Sequence, residues 1–290
     1  MSDNPEWIKT IAPSETKNEK FISQQLERYN LHTVCQEADC PNQGECWRNG
    51  TTTFLLLGDI CTRNCMFCDV ETGNPHGEVD EEEPENIARA SDNLNLDYVV
   101  LTSVDRDDLP DYGAGHFKQT INELYALQSP PLVEALVPDF CGESPLLELI
   151  THTNVDVIGH NIETVQRLSP TVRDRRASYT ISLEVLQFIK KASPKVVTKS
   201  SIMVGLGETR QEMIQAMEDL KRVGVDIVTI GQYLRPSLEQ LPVERFLKVD
   251  EFENLRQIGL NLGFAAVLSG PFVRSSYKAK DTYRAARQKL

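Results

Sequence analysis

Six of the seven cysteines in this chain fall between Cys35 and Cys68, and thiols gathered so closely either bridge to one another or hold metal. Disulfide staples serve small secreted domains with little core. This chain has 290 residues, 40 % hydrophobic and 25 % charged, enough for one large self-sufficient core, so metal is the better reading. Cys61-Thr62-Arg63-Asn64-Cys65-Met66-Phe67-Cys68 is a CxxxCxxC loop with no fourth Cys or His at zinc-site spacing behind it. Three thiolates can grip a cubane of four irons and four sulfurs by three corners, leaving the fourth iron open to a ligand that is not protein. The second set, Cys35, Cys40 and Cys46, forms a CxxxxCxxxxxC pattern that matches neither zinc-finger nor common ferredoxin spacing. It too invites a cluster and lacks a fourth ligand. Cys141, the cysteine left over, is the obvious candidate for that ligand by residue type, but in Pro138-Asp139-Phe140-Cys141-Gly142 it reads more readily as a buried small hydrophobe.

The elements around these residues set where the chemistry sits. Residues 18–29 have the pattern of a helix, and a loop carrying Cys35, Cys40 and Cys46 follows. From residue 54 short apolar runs alternate with helix-length amphipathic stretches: 54–60, 98–103, 132–137, 155–160, 196–204 and 225–231 read as buried parallel strands. Residues 264–268 are a possible seventh, ended by Ser269-Gly270-Pro271. Alternating strands and helices with right-handed crossovers give an α/β fold, a partial (β/α)6 barrel. The expected organisation is an N-terminal cysteine-bearing extension (1–50), the barrel (51–270) and a C-terminal segment (271–290). The CxxxCxxC loop directly follows the first strand and so lies at the carboxyl end of the sheet, where such folds place their active sites. The acidic run Asp80-Glu81-Glu82-Glu83-Pro84-Glu85 reads as a helix start.

A net charge of −13 argues against a nucleic-acid partner, and no apolar run approaches a membrane span. The N-terminal residues read as neither a signal nor a transit peptide, so a soluble cytoplasmic protein is expected. The tail departs from the acidic body: from Arg274 onward, Lys278, Lys280, Arg284, Arg287 and Lys289 face a single acid, Asp281. It reads either as a solvated helix face or as a docking site for an acidic protein.

The CxxxCxxC loop, with the aromatic Phe67 before its last cysteine, resembles the signature of the radical S-adenosylmethionine superfamily over residues 54–231. The resemblance implies that an open iron chelates the methionine end of S-adenosylmethionine, and that an electron from the cluster cleaves the sulfonium to methionine and a 5′-deoxyadenosyl radical. Ser201-Ile202-Met203-Val204-Gly205-Leu206-Gly207-Glu208 resembles the superfamily's GxIxGxxE segment, Ser201 departing at the first glycine. A dinucleotide-binding reading of Gly205-Leu206-Gly207 fails because Arg210 occupies the third glycine position.

Along almost the whole chain the pattern is similar to the lipoyl synthase family within that superfamily. The matching segments are CxxxxCxxxxxC ahead of CxxxCxxC, Arg274-Ser275-Ser276-Tyr277, Trp7-Ile8-Lys9, Arg106-Asp107-Asp108-Leu109, His160-Asn161-Ile162-Glu163-Thr164 and Gln232-Tyr233-Leu234-Arg235-Pro236. Tyr112 departs from a usual glycine. The resemblance implies two 4Fe-4S clusters, one on Cys61, Cys65 and Cys68, the other on Cys35, Cys40, Cys46 and a serine. Neighbouring side chains point apart in an extended chain, so only one of Ser275 and Ser276 should reach the iron, and Ser276 is the choice. It further implies two S-adenosylmethionines used in turn, sulfur entering C6 and C8 of an octanoyl-lysine, and the auxiliary cluster as sulfur donor. An oxygen ligand is a poorer match than thiolate for iron in such a cluster, which suits a cluster that must open. Implied partners are octanoylated lipoyl carrier domains of 2-oxoacid dehydrogenase E2 subunits and the glycine cleavage H protein, and an electron donor such as flavodoxin or ferredoxin. Phe67, Thr102, Asn161, Glu163, Lys199, Gly205, Glu208, Gln232 and Tyr233 are the candidate cosubstrate contacts. Arg274 is expected to orient the serines or to form a surface ion pair. The rival readings are another radical sulfur inserter or methylthiotransferase, and an iron–sulfur electron carrier, for which so much α/β scaffold has no use.

Overall fold

The computed structural model describes residues 17–38, 40–48 and 51–290; Trp7-Ile8-Lys9 lies outside them. The strands are β1 (His32–Thr33), β2 (Thr53–Leu56), β3 (Ile60–Cys61), β4 (Glu71–Thr72), β5 (Tyr98–Ser103), β6 (Leu132–Leu136), β7 (Val157–Gly159), β8 (Val197–Val204), β9 (Ile227–Gln232) and β10 (Ala266–Gly270). Eight of them form one sheet in the order β1-β2-β5-β6-β7-β8-β9-β10. Every pair in it is parallel except the edge pair β1–β2. The sheet curls without closing, and the run at 264–268 does supply a further parallel strand. The helices are α1 (Lys17–Tyr29), α2 (Val34–Glu37), α3 (Gln43–Arg48), α4 (Glu83–Asn93), α5 (Ala114–Tyr125), α6 (Ser144–Thr151), α7 (Ser169–Val172), α8 (Tyr179–Ala192), α9 (Arg210–Arg222), α10 (Val249–Asn261) and α11 (Ala279–Arg287). Among the described residues no helix is long and apolar enough to cross a membrane.

Local chemistry explains the boundaries that bear on the site. The first barrel strand stops at Leu56, not at Ile60, because Leu57 (φ 69°) and Gly58 (φ 85°) turn the chain in left-handed geometry. Beyond the turn, β3 pairs with β4, joining Ile60 to Glu71 and Cys61 to Thr72. This short ribbon clamps the base of the CxxxCxxC loop. The expected loop around Cys35 and Cys46 is instead two short helices, α2 and α3. They pack because Ile22, Leu26, Cys35 and Trp47 join the core of Phe54, Leu56, Ile87 and Leu101. Tyr112, the departure from glycine, takes φ 52°, a conformation that burdens a side-chain-bearing residue by about 1–2 kcal/mol.

The C-terminal helix fills the barrel from its amino end. Ala279, Tyr283 and Ala286, spaced along one face of α11, meet Tyr98, Val100, Val157, Val197 and Ile227. On the same helix Lys280 pairs with Asp97. Further into the barrel Lys199 binds Glu134 at 2.6 Å, and Tyr98 donates to the other oxygen of that carboxylate at 2.6 Å.

Candidate active site

A cavity of about 520 Å³ opens at the carboxyl ends of the strands, within the usual range for small-molecule sites of about 300–1,000 Å³. Cys35, Cys40, Cys61, Cys65, Cys68, Ser275 and Ser276 all line it. Three segments far apart in sequence thus bring their candidate ligands to one space. Cys46 is not in the lining, but the Cys35 and Cys40 thiols act on it electrostatically.

Backbone amides and one arginine shape the CxxxCxxC loop. Cys61 Sγ accepts from the amides of Arg63 and Asp105, both at 3.4 Å, and Cys65 Sγ from Asp174 at 3.3 Å. Arg63, with its side chain 3 % exposed, forks onto both oxygens of Asp139 at 2.8 Å, reaches Asp107 at 2.9 Å and lies 3.4 Å from Asp105. Burial works against Asp107 and Asp139, yet the Arg63 hydrogen bonds hold both carboxyls below the usual range. Asp105 is different: burial outweighs Arg63 and raises its carboxyl to about 6. Arg106 grips Asp108 at 2.8 Å and the Leu57 and Glu78 carbonyls at 3.1 and 2.7 Å. The Arg106-Asp107-Asp108 segment therefore braces the loop.

The C-terminal segment crosses the top of the barrel. At Gly231 an added Cβ would fall 1.9 Å from the Val273 carbonyl oxygen, so only glycine lets the segment lie this close. Arg274 donates to the Gln232 and Val273 carbonyls at 3.2 and 2.8 Å, which corrects the surface ion-pair reading. Residues 274–277 form a turn, closed by Tyr277 N–H to Arg274 O at 3.1 Å. The expected extended segment is thereby corrected to a turn, and both Ser275 and Ser276 are among the residues lining the cavity.

Of the candidate cosubstrate contacts, Phe67, Thr102, Asn161, Glu163, Gln232 and Tyr233 line the cavity, and Lys199, Gly205 and Glu208 do not. Lys199 is committed to Glu134. Glu208 accepts from the amides of Gly205 and Leu206 at 2.7 and 2.9 Å, closing the strand-to-helix turn ahead of α9. Gln232, although in the lining, spends its amide on the Val204, Tyr233, Arg245 and Leu247 backbones. Glu163 takes φ 64°, and burial raises its carboxyl. Cys141 is exposed, not buried: the Phe140–Gly142 turn sends Phe140 inward, edge-on to Phe117.

Arg173 went unnoticed in the sequence, and no motif marks it there. It is a buried cation in the cavity lining, bound to the hydroxyl of Ser182 at 2.8 Å and to no carboxylate among the described residues. Ser182 also bonds His160 Nε2 at 2.8 Å, while His160 Nδ1 lies 2.9 Å from the Val137 carbonyl. Burial, with Arg173 nearby, lowers His160 from 6.5 to about 4. An unfolded histidine takes up its proton near 6.5 and the folded one only near 4. Stability should therefore fall as pH drops through that interval, by on the order of 3 kcal/mol in full. Urea midpoints measured across it should decline, and His160→Gln should flatten the decline.

The cysteines suit iron–sulfur groups. Among the described residues no cysteine triad draws its sulfurs within 4.8 Å of one another, so neither is collapsed to the spacing of a single ion. Burial pushes Cys35 and Cys61 up to about 11 and Cys46 and Cys65 up to about 12. Thiolates so desolvated need a bound cationic centre, and amide N–H groups aimed at Cys61 and Cys65 are the hydrogen bonds that tune such centres.

An unclosed parallel barrel with a CxxxCxxC loop at its carboxyl end defines the radical S-adenosylmethionine class of enzyme, and the profile of the Radical SAM superfamily matches residues 55–231. The crystal structure of methylornithine synthase superposes with a TM-score of 0.56 at 15 % identity, covering 88 % of this chain and 79 % of that one; this likeness concerns the fold. Lipoyl synthase of Deinococcus radiodurans is 51 % identical over 280 residues, 96 % of this chain and 83 % of the relative. That of Thermus thermophilus is 50 % identical over 287 residues, 99 % and 88 % of the two chains. The chain belongs to the lipoyl synthase family.

Proposed function

We propose that this enzyme inserts two sulfur atoms, at C6 and C8, into an octanoyl chain amide-linked to a lysine of a carrier domain. The observation that carries the reading is the cavity whose lining includes both Cys61, Cys65 and Cys68 and Cys35, Cys40, Ser275 and Ser276. Cys61, Cys65 and Cys68 would hold one 4Fe-4S cluster, whose chemistry would be one-electron reduction of S-adenosylmethionine, and Cys35, Cys40, Cys46 and Ser276 would hold a second, whose chemistry would be sulfur donation. The remaining tasks fall to this chain's own residues. Arg173, a buried cation bonded to no carboxylate among the described residues, suits the α-carboxylate of the cosubstrate, and the Glu163 carboxyl suits its amino group. Val34, Leu136, Val137, Ala177 and Val273 give the cavity the apolar wall that an octanoyl tail requires and that keeps water from a reactive radical. Ser276 contributes an oxygen ligand that departs more readily than thiolate.

The carriers proposed are the lipoyl domains of 2-oxoacid dehydrogenase E2 subunits and the glycine cleavage H protein, with flavodoxin or ferredoxin as electron donor. Anaerobic incubation of reduced enzyme with S-adenosylmethionine and an octanoylated lipoyl domain should add two sulfurs to that domain by mass spectrometry. A domain that gains no sulfur while another substrate does would overturn the assignment. In Ser276→Cys both clusters should persist while sulfur transfer is lost; full activity would contradict the labile-corner reading.

A further inference from the structure

The contact between Tyr277 and Glu45 joins residues 232 positions apart, and each is the chain neighbour of a proposed auxiliary ligand, Ser276 and Cys46 respectively. The Tyr277 hydroxyl lies 3.1 Å from both oxygens of the Glu45 carboxylate. Beside it Asn42 Nδ2 donates to the Phe272 carbonyl at 2.6 Å, and Cys46 N–H donates to Asn42 O at 2.9 Å. The serine turn is thus tied to the cysteine segment at both its ends. From these contacts we infer that Tyr277 and Glu45 are positioning residues, a latch that holds the serine turn against the auxiliary cysteine segment and keeps the serine oxygen on its iron. The inference rests on the proposed serine ligation.

Oxygen is a poor match for iron among sulfides, so its occupancy depends on how closely the rest of the fold confines it near the metal. The turn lies between two anchors: upstream, Val273 against Gly231 with Arg274 on the Gln232 carbonyl; downstream, Lys278 in left-handed geometry (φ 49°) leading into α11. A hydroxyl donating to a carboxylate is among the stronger neutral-to-charged contacts, and its acceptor has no proton of its own to offer.

The test uses anaerobically prepared holoenzyme carrying Tyr277→Phe, which removes only the hydroxyl, beside Glu45→Gln, which keeps an acceptor oxygen, and Glu45→Ala, which does not. After a mild ferricyanide challenge, three-iron clusters are counted by electron paramagnetic resonance, and hydrogen exchange is followed in the peptide spanning 272–278. Tyr277→Phe and Glu45→Ala should lose the corner iron about ten-fold faster than wild type and exchange faster by a similar factor. Glu45→Gln should stay near wild type in both. An unchanged thermal midpoint identifies the effect as positional; iron loss that merely tracks a lowered midpoint overturns the inference. So does wild-type iron retention or wild-type exchange in Tyr277→Phe. A doubly substituted Ser275→Ala, Ser276→Ala enzyme tests the ligand reading separately: if it keeps the corner iron as wild type does, serine ligation is wrong, whatever the latch variants show.

Discussion

Cys40→Ala is expected to keep S-adenosylmethionine cleavage while sulfur insertion falls by more than about a thousand-fold, equivalent to roughly 4 kcal/mol in the barrier; Cys68→Ala is expected to abolish both. The two cysteines line one cavity but are held by separate parts of the fold. Cys68 sits in the barrel loop, its carbonyl bound by Gln240 Nε2 at 3.1 Å. Cys40 lies between α2 and α3, its amide donating to the Cys35 carbonyl at 3.2 Å. Damage to one should leave the other's surroundings intact. Iron should fall from about eight to about four per chain in each variant. Chromatography of 5′-deoxyadenosine and the mass of the carrier domain read the two activities apart. Sulfur insertion surviving in Cys40→Ala would remove the auxiliary triad from the mechanism.

Arg63→Leu is expected to destabilise the protein by about 3–5 kcal/mol, because it takes from the buried Asp139 its one ion-pair partner among the described residues, while Asp107 keeps Arg176 at 3.2 Å. Asp139 is 1 % exposed and Asp107 15 %, so little water is available to replace the lost partner. Against a total stability of about 5–15 kcal/mol the loss is severe. The thermal midpoint should drop by roughly 10 °C. Arg63→Lys should recover only part of it, since an ammonium cannot fork onto two carboxylates at once. The counter-case is Arg176, 38 % exposed beside Asp107 and Asp174, where substitution should change stability by no more than about 1 kcal/mol. Equal midpoints for Arg63→Leu and wild type, in calorimetry, would contradict the buried-hub account.

The alternation of strands and helices was legible because each apolar run reflects its own immediate neighbours, and β5, β6 and β8 begin within a residue of where that pattern puts them. The helical state of the auxiliary segment was not legible. Val34–Glu37 and Gln43–Arg48 are too short to show a period, and they fold against α1 and the barrel rather than by their own propensity. Cys141 misled for a related reason: the Asp139 carboxylate accepts its amide and the turn buries its neighbour Phe140, a choice made by the local hydrogen bond and not by hydrophobicity.

From the sequence alone came the cysteine spacings, the place of the CxxxCxxC loop after the first barrel strand and the open parallel barrel, all matters of residue type and short-range order. Tertiary structure alone decided which side chains meet. It joined Tyr277 to Glu45, brought both serines and Arg173 into the lining of one cavity and committed Lys199 to Glu134. Contacts between residues distant in the chain arise from how whole elements pack, and no local pattern of residue types carries that information.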